Sequence, residues 1–335
     1  MNLHNLEKAL AGEPAYRLKQ AKKAVFEQLI SDWNEATIFS VALREKLNQE
    51  CPLGIEAEIF PSGAGKAVKA QLTLKDGLKI ETVLMRHKEE RNTVCVSSAV
   101  GCPMGCLFCA TGKLGLKRNL TADEIVEQVL FFSRYLAKEK DRVDNVVFMG
   151  MGEPFLNYDN VMKAVRIINS KEAFNIGARK ISISTVGVTE GIRKLANENL
   201  QVNLAISLHA PNNKIRLKII PTTKKYSIEK ILTAVNEYID KTNRKVMFEY
   251  LMINDLNDNE PAARELAKLM KKPLYFVNLI MYNPTGIFSP STEVRIERFK
   301  EILRKNRINF SERFRFGREV KAACGQLVAD NQKKC

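Results

Sequence analysis

The sequence predicts an α/β protein, built as a partial (βα)6 TIM-like barrel with a small N-terminal helical domain and a short antiparallel strand extension. Three observations predict this fold. After residue 91, six apolar segments rich in β-branched residues alternate with amphipathic helical segments. Up to Pro52 the apolar residues recur at helical spacing, and between these two regions short alternating segments are broken by glycines. The predicted domains are therefore residues 1–52, 53–90 and 91–335.

The first two regions are short. Apolar residues such as Leu18, Val25 and Leu29 recur at helical spacing, which predicts a small helical bundle. Between residues 56 and 85, the alternation in residues 68–74 is typical of a half-buried strand, and the Asp-Gly pair that follows is a turn signal. We expect antiparallel strands in this part of the chain.

The rest of the chain repeats a strand and a helix. Thr121, followed three residues later by Glu124, forms a capping box ahead of the first of these helices. Such units predict a parallel sheet that curves toward a barrel, with functional residues just after the C-terminal ends of the strands. The predicted strands are Thr93 to Ser97, Asn145 to Met149, Lys180 to Thr185, Val202 to Leu208, Lys245 to Ile253 and Leu274 to Ile280. The predicted helices are Ala122 to Leu136, Asn160 to Asn169, Thr189 to Asn197, Ile228 to Asp240, Glu260 to Met270 and Thr292 to Lys305.

Length and composition exclude several classes of protein. A chain of 335 residues, 45% apolar and 27% charged, is long enough for a large catalytic core and too long for a simple binding module. We find no run of about 18 apolar residues that would span a bilayer. Residues 1–5 also lack the basic and apolar segments of a secretory leader. We therefore expect a cytoplasmic protein with no membrane association.

The charge balance points to a polyanionic partner. Lys and Arg number 53 against 38 Asp and Glu, a net charge of +15. Such an excess is typical of nucleic-acid-binding proteins. Because no single basic run accounts for it, a basic surface without a nucleic-acid partner remains the alternative.

Three of the seven cysteines form the most specific motif. Cys102, Cys106 and Cys109 follow the first predicted strand of the barrel as C-x3-C-x2-C. Clustered cysteines in a cytoplasmic protein indicate metal binding or catalysis rather than a disulfide framework. Three thiolates can bind three irons of a 4Fe–4S cluster, where complete ligation takes four, and the fourth iron is then open to chelate S-adenosylmethionine (SAM). Structural zinc is the alternative, but zinc sites favour paired C-x2-C or Cys/His sets, and the chain has only three histidines.

The cysteine motif, with Phe108 before its last cysteine, resembles the signature of the radical SAM superfamily. Four further segments together resemble the RlmN/Cfr family of RNA adenine methyltransferases within it, and the likeness extends from about Glu81 to Leu327. It is greatest to the housekeeping branch, whose members act on 23S rRNA and tRNA. The segments are Val94-Cys95-Val96-Ser97-Ser98, Gly150-Met151-Gly152-Glu153-Pro154, Ser207-Leu208-His209-Ala210 and Ala322-Ala323-Cys324-Gly325-Gln326-Leu327.

The resemblance implies a set of cofactor contacts. Gly152 and Glu153 match the family's contact to the amino group of SAM, and all the matching residues are predicted near strand ends. Taken singly, each is also explained as a turn residue or a satisfied polar group. The implied SAM-binding residues are Gly152, Glu153, Ser184, Ser207, Leu208, His209 and Asn283. The implied ligands of the cluster, one per chain, are Cys102, Cys106 and Cys109.

Two isolated cysteines carry the chemistry that the resemblance implies. Carbon 2 of adenine lies between two ring nitrogens and is electron-poor, so it cannot attack a methyl cation. In the family, the cysteine matched by Cys324 becomes S-methylcysteine, a radical formed on that methyl group adds to the base, and a second thiol, matched by Cys95, resolves the adduct through a transient disulfide. Two SAM molecules are used per turnover. Glu81 matches the family's proton acceptor. Without the resemblance, Cys95 would be a small buried residue and Glu81 a solvent-facing one.

The resemblance also implies partners. They are 23S rRNA and tRNA as substrates and a reducing system such as flavodoxin or ferredoxin, with the enzyme acting as a monomer. Arg17, Lys19, Lys22 and Lys23 give the N-terminal region positive charge for RNA phosphates, although this region could equally be structural packing. Cys51 and Cys335 match nothing in the family, and residues 316–321 depart from its pattern.

Three alternatives stay open at this stage. Methylation of adenine carbon 8 in 23S rRNA is not separated from methylation of carbon 2 by any physical argument from the sequence. A radical SAM enzyme acting on a non-RNA substrate would share the cysteine motif but has no need of Cys95, Cys324 and the positive charge together. A zinc or RNA-binding protein without catalytic activity would not cleave SAM.

Overall fold

The structure, a computed structural model, describes residues 3–63, 65–87, 91–312 and 320–328. Cys335 and residues 316–319 lie outside them. Ten strands form one sheet and two form a small hairpin. The strands are β1 (Glu56–Pro61), β2 (Ala67–Thr73), β3 (Lys79–Arg86), β4 (Asn92–Cys95), β5 (Ala99–Gly101), β6 (Leu116–Asn119), β7 (Asn145–Phe148), β8 (Ile181–Thr185), β9 (Asn203–Ser207), β10 (Val246–Met252), β11 (Tyr275–Met281) and β12 (Phe310–Glu312).

Helices occupy the N-terminal region and the outside of the sheet. They are α1 (Leu3–Ala9), α2 (Ala15–Phe26), α3 (Val41–Glu50), α4 (Ala122–Ala137), α5 (Tyr158–Asn169), α6 (Thr189–Leu195), α7 (Asn213–Leu217), α8 (Ile228–Thr242), α9 (Glu260–Leu269) and α10 (Glu293–Lys305). Short 3-10 turns lie at Trp33–Glu35, Thr111–Lys113, Pro154–Asn157, Ala178–Lys180 and Pro221–Lys224.

The parallel part of the sheet confirms the predicted barrel-type architecture. Strands β4, β7, β8, β9, β10 and β11 are neighbours in that order and pair in parallel. A seventh parallel strand, β12, extends the sheet beyond β11. The β5–β6 hairpin is also additional. Both were missed because segments of three or four residues are too short to show a period.

The antiparallel extension is continuous with the barrel. Strands β1, β2 and β3 form a meander, and β3 pairs antiparallel with β4, so the extension forms one edge of the same sheet. The β2–β3 turn contains Gly77 at a φ of 78°, a conformation that favours glycine. The register places Val83 opposite Cys95 and Gln71 opposite Glu81.

Helix α4 joins the barrel to the N-terminal helices. Its start shows the predicted capping box, because Thr121 accepts from the backbone of Glu124 and the Glu124 side chain accepts from the backbone of Thr121. On the same helix, Arg134 donates to the carbonyl oxygens of Leu53 and Ile30. These bonds tie the N-terminal helices to the barrel; the domain boundaries themselves stay a prediction. Within the described residues no helix is both long and apolar enough to cross a bilayer.

Candidate active site

The three motif cysteines lie in the loop that follows β4 and β5. The β5–β6 hairpin holds this loop: the Cys102 amide donates to the Gly115 carbonyl at 2.9 Å. Gly101 has a φ of 79°, and a Cβ there would lie 1.9 Å from the Gly115 oxygen, so only glycine fits this close approach. The far side of the loop packs on the segment after α7, where the Leu107 amide donates to the Ile219 carbonyl at 2.9 Å.

The thiols of these cysteines surround a cavity. Burial raises the pKa of Cys102 to about 12 and holds that of Cys106 well above its usual value, and the Cys109 thiol adds to both shifts. The thiols of Cys102 and Cys106 are therefore close to that of Cys109. Thiols that surround one cavity fit a cluster, whose ligands bind separate irons.

The cavity lies at the C-terminal ends of the parallel strands. It contains about 940 Å³ of empty space, part of which is open solvent. The predicted site residues that line it are Cys102, Cys106, Cys109, Gly152, Glu153, Ser184, Ser207, His209 and Cys324. The structure thus brings together predicted residues from five segments of the chain, at the edge where a barrel places its active site.

Glu153 is the buried acid of the cavity. Burial raises its pKa to about 7, against hydrogen bonds from Val186, Thr185 and Phe155 that lower it. Its carboxylate accepts from the Val186 amide at 2.8 Å, which fixes it at the ends of β7 and β8. Gly152 before it has a φ of 102°, and a Cβ there would lie 2.6 Å from the Ser98 hydroxyl. The glycine therefore lets the chain turn close to the loop that leads to the cysteines.

His209 lies against the cluster loop. Its ring is 4.9 Å from that of Phe108, edge to face, and its Nδ1 accepts from the Leu251 amide at 3.1 Å. Burial and the nearby Arg216 lower its pKa to about 3, so the ring is neutral. With Nδ1 as acceptor, the proton is assigned to Nε2. Beside it, the Ser184 and Ser207 hydroxyls on neighbouring strands lie 3.4 Å apart.

Leu208 and Asn283 are not among the described residues lining the cavity. Leu208 is fully buried, its amide donates to the Glu249 carbonyl and its own carbonyl accepts from Arg216. Asn283 is also buried. Its Nδ2 donates to the Cys324 carbonyl at 3.5 Å, while its Oδ1 has no hydrogen-bond partner. A buried acceptor without a donor costs free energy, so this oxygen fits the edge of a ligand site.

The segment 320–328 carries Cys324 to the cavity. It is held by the cluster loop, since the Ala110 amide donates to the Gly325 carbonyl at 2.7 Å and the Thr111 hydroxyl donates to the Leu327 carbonyl at 2.6 Å. Cys324 itself is an exposed free thiol that lines the cavity. The thiol is therefore accessible while the backbone around it is anchored.

Cys95 and Glu81 face the interior of the barrel below this cavity. Alternate residues of a strand share a face; Thr93 and Met85 line a second cavity inside the barrel, so Cys95 and Glu81, on the same strands, point the same way. Both are buried. Neither is among the described residues lining the cysteine cavity. The expectation that an isolated Glu81 would face solvent is wrong, because Lys69 pairs with it at 2.8 Å.

Arg216 is a site residue that the sequence did not reveal. It is fully buried, and its guanidinium donates to five oxygens, among them the carbonyls of Val186 and Ser207 at the ends of β8 and β9. Burial lowers its pKa to about 10, and the nearest ionisable group that opposes this is Cys106. An arginine in a short helix carries no pattern that separates this role from an exposed one.

The residues present fit the cofactors of a radical SAM site: three thiols around one cavity, a buried carboxylate, paired hydroxyls and an unpaired amide oxygen. Comparison with known protein families gives the same class of protein. Residues 96–267 match the Radical SAM superfamily, so this is a radical SAM protein, with a 4Fe–4S cluster and SAM as its cofactors.

Comparison with single proteins defines the family further. The chain is 46% identical over 320 residues to the dual-specificity RNA methyltransferase RlmN of Dictyoglomus turgidum, covering 95% of this chain and 92% of the relative. It is 43% identical to ribosomal RNA large subunit methyltransferase N of Nitrosopumilus maritimus, covering 95% and 94%. A radical SAM methyltransferase from Sphaerobacter thermophilus superposes with a TM-score of 0.93 at 42% identity, over 98% and 97% of the two chains. The chain belongs to the RlmN family of radical SAM RNA methyltransferases.

The pKa of Glu153 predicts a pH dependence of SAM binding. If the ionised carboxylate accepts a hydrogen bond from the SAM amino group, protonation near pH 7 competes with binding. We expect the Kd for SAM to rise as pH falls from 8.5 to 6, approaching about tenfold per pH unit below pH 7. Anaerobic calorimetry on cluster-loaded protein measures it.

Glu153→Gln isolates this effect. Titration of the ligand's own amino group is common to both proteins, so the difference between them reports the carboxylate. Glu172→Gln, at an exposed carboxylate, is the control. Equal pH profiles for the parent and Glu153→Gln would contradict the contact.

Proposed function

We propose that this protein methylates carbon 2 of an adenine in 23S rRNA, in the peptidyl transferase region, and in tRNA, at adenine 37. Cys324 carries the methyl group as S-methylcysteine, and a covalent enzyme–RNA adduct forms through it. Cys95 resolves that adduct. The single observation that carries the proposal is the position of Cys324: a thiol outside the cysteine loop lines the same cavity as its three cysteines.

The proposed ligand roles rest on the resemblance to the family, and most of these residues line the cavity. Cys102, Cys106 and Cys109 would hold the cluster. Glu153 and Gly152 would bind the amino end of SAM. The rest of the SAM molecule would be contacted by Ser184, Ser207, His209 and Asn283. Leu208 would only support the end of its strand. When bound, the cluster and two SAM molecules per turnover supply a methyl group and the oxidising power to remove a hydrogen atom from it. The neutral His209 offers an Nε2 proton to a ligand without adding charge.

We propose that the second thiol and the acid act in the later steps. The adduct formed by addition of the carbon radical would lose one electron, which the cluster, when bound, would take back, and the carbon 2 proton. Loss of that proton needs a base, and Glu81 is a carboxylate that faces the barrel interior. Cys95 faces the same interior from the adjacent strand β4. Attack by the Cys95 thiolate on the Cys324 sulfur forms an S–S bond and breaks the bond from that sulfur to the methylene carbon. The electron pair returns to the base, which takes up a proton and leaves as methyladenine.

The substrate assignment rests on the relatives and the charge. The named activity of one relative is dual-specificity RNA methylation, and that of another is methylation of the large ribosomal RNA. Mass spectrometry of nucleosides from 23S rRNA and tRNA incubated with the enzyme, SAM and a reductant tests the proposal. We expect 2-methyladenosine from both RNAs. Formation of 8-methyladenosine instead would contradict the carbon 2 assignment, and unmodified tRNA would contradict the dual substrate.

We also propose an electron donor, an oligomeric state and a cellular location for the enzyme. A flavodoxin or ferredoxin would supply the electron, and the enzyme would act as a monomer in the cytoplasm. The N-terminal helices would help to hold the RNA. On α2, Lys23 is exposed and Lys22 is half-buried, and the ion pair that each makes is long, at 3.9 Å.

The net charge predicts a steep salt dependence of RNA binding. Each phosphate neutralised by the protein releases counterions, so log affinity falls in proportion to log salt concentration. Between roughly 50 and 200 mM salt we expect a loss of ~10-fold or more. Filter binding at several salt concentrations measures the slope. An affinity that hardly changes would contradict an electrostatic RNA surface, and Lys22→Gln with Lys23→Gln should reduce the slope if α2 contributes.

A further inference from the structure

Both carboxylate oxygens of Glu81 are occupied. Its Oε1 accepts from the ammonium of Lys69 at 2.8 Å, and its Oε2 accepts from the backbone amide of Val328 at 2.8 Å. The ion pair is almost fully buried, with 12% of the Lys69 side chain and 2% of the Glu81 side chain exposed. Hydrogen bonds to a buried charge are stronger than bonds between neutral groups. Glu81 therefore anchors the chain four residues beyond Cys324.

This anchor is separate from the other bonds that hold the segment. Thr111 binds the Leu327 carbonyl and Ala110 binds the Gly325 carbonyl from the cluster loop, whereas Glu81 holds Val328 from β3 on another side. Leu327 between these anchors is buried. Two longer bonds add to these, from the Asn283 amide to the Cys324 carbonyl at 3.5 Å and from the Gln326 side-chain amide to the Pro284 carbonyl at 3.3 Å. Of these anchors, only the one at Glu81 uses a charged side chain that the proposed chemistry also needs.

We propose that Lys69 and Glu81 form a latch that holds the Cys324 segment docked at the cavity, with Lys69 as a positioning residue that keeps the Glu81 carboxylate aimed at Val328. The latch has a consequence for the order of events. The Val328 amide occupies one lone pair of Oε2, so movement of the segment frees a further lone pair of this oxygen for a proton. This step rests on the proposed roles of Cys324 and Glu81, whereas the docking contact does not.

Hydrogen exchange of the cluster-loaded protein tests the latch directly. Lys69→Met leaves the buried carboxylate without its cation, so its side chain is free to turn away and the bond from Val328 weakens. We expect amide exchange in residues 322–328 to become at least about tenfold faster. Lys69→Arg retains a cation and should restore slow exchange. Lys75→Met, an exposed lysine at the turn of the same hairpin, is the matched control and should change nothing.

Substitutions of Glu81 separate the latch from catalysis. Glu81→Ala removes both the acceptor and the base, so exchange in residues 322–328 should accelerate and RNA methylation should be lost. Glu81→Gln keeps an oxygen for the Val328 amide but is no base, so exchange should stay slower than in Glu81→Ala while methylation is still lost. If Glu81→Gln methylates RNA normally, the proposed proton-acceptor role is wrong and the latch stands.

Two results would overturn the latch. One is unchanged exchange of residues 322–328 in both Lys69→Met and Glu81→Ala. The other is faster exchange of these residues in Lys69→Met that is also seen in Lys69→Arg and in the control Lys75→Met. If Lys69→Met also speeds exchange throughout residues 67–85, the hairpin itself has loosened. The comparison of Glu81→Ala with Glu81→Gln then decides whether the bond between Val328 and Glu81 holds the segment.

Discussion

Replacing any one of Cys102, Cys106 or Cys109 with Ala is expected to abolish both the binding of iron and the cleavage of SAM. Each thiol lines the cavity, and a 4Fe–4S cluster with an open iron already has one ligand fewer than a complete set. Loss of a second leaves two irons without protein ligands. Anaerobic reconstitution should give about four irons and four sulfides per chain for the parent protein. The variants should have neither this content nor the cluster's visible absorbance.

The control for these variants is Cys51→Ala. Cys51 is a buried cysteine at the end of α3, and its carbonyl accepts from the Trp33 indole. Its thiol lies outside the residues that line the cavity, so iron content and SAM cleavage should match those of the parent protein. Analysis of SAM products by chromatography after reduction gives the second measurement. A cysteine-loop variant that kept its absorbance and cleaved SAM would refute the ligand assignment.

The parallel sheet was predictable because its signals are local and repeated. Strand β10 was expected as Lys245 to Ile253 and found as Val246–Met252, and helix α9 was expected as Glu260 to Met270 and found as Glu260–Leu269. Both segments are long enough for apolar periodicity to fix their type. Strand β12, with three residues, and α7, with five, offer no such period.

The site residues likewise fall into those that the sequence predicts and those that it does not. Residues in sequence motifs, such as Cys106, Glu153 and His209, were found at one cavity because parallel strands bring their C-terminal ends together. Contacts that depend on distant partners were not predictable. Glu81 gives no sign in the sequence of its bond to Val328, and Arg216 gives none of the strand ends that it joins.

The two isolated thiols should fail at different steps when they are substituted. With Cys324→Ala no methyl group can be loaded, so neither S-methylcysteine nor an RNA crosslink should form. With Cys95→Ala, loading and addition to the base remain available while resolution does not. A covalent enzyme–RNA species should therefore accumulate and be visible on a denaturing gel, and methylated RNA should be absent.

Neither Cys324→Ala nor Cys95→Ala is expected to disrupt the fold. Cys324 is exposed on an anchored segment, so its truncation to Ala leaves the backbone contacts of Gly325 and Leu327 in place. Cys95 is buried in β4, and truncating one small side chain there should cost no more than about 1–2 kcal/mol. Thermal unfolding of both variants checks that the fold is retained.

Mass analysis then assigns the crosslink. Digesting the Cys95→Ala adduct with nuclease and protease should leave a nucleotide mass on the peptide that contains Cys324. The double substitution Cys95→Ala with Cys324→Ala should form no adduct, which shows that the linkage depends on Cys324. Adding Glu81→Gln to Cys95→Ala asks whether the base acts after addition: with RNA deuterated at carbon 2, the adduct should then retain the deuterium. Normal turnover by Cys95→Ala, or the same crosslink in Cys324→Ala, would show that the roles of the two thiols are wrong.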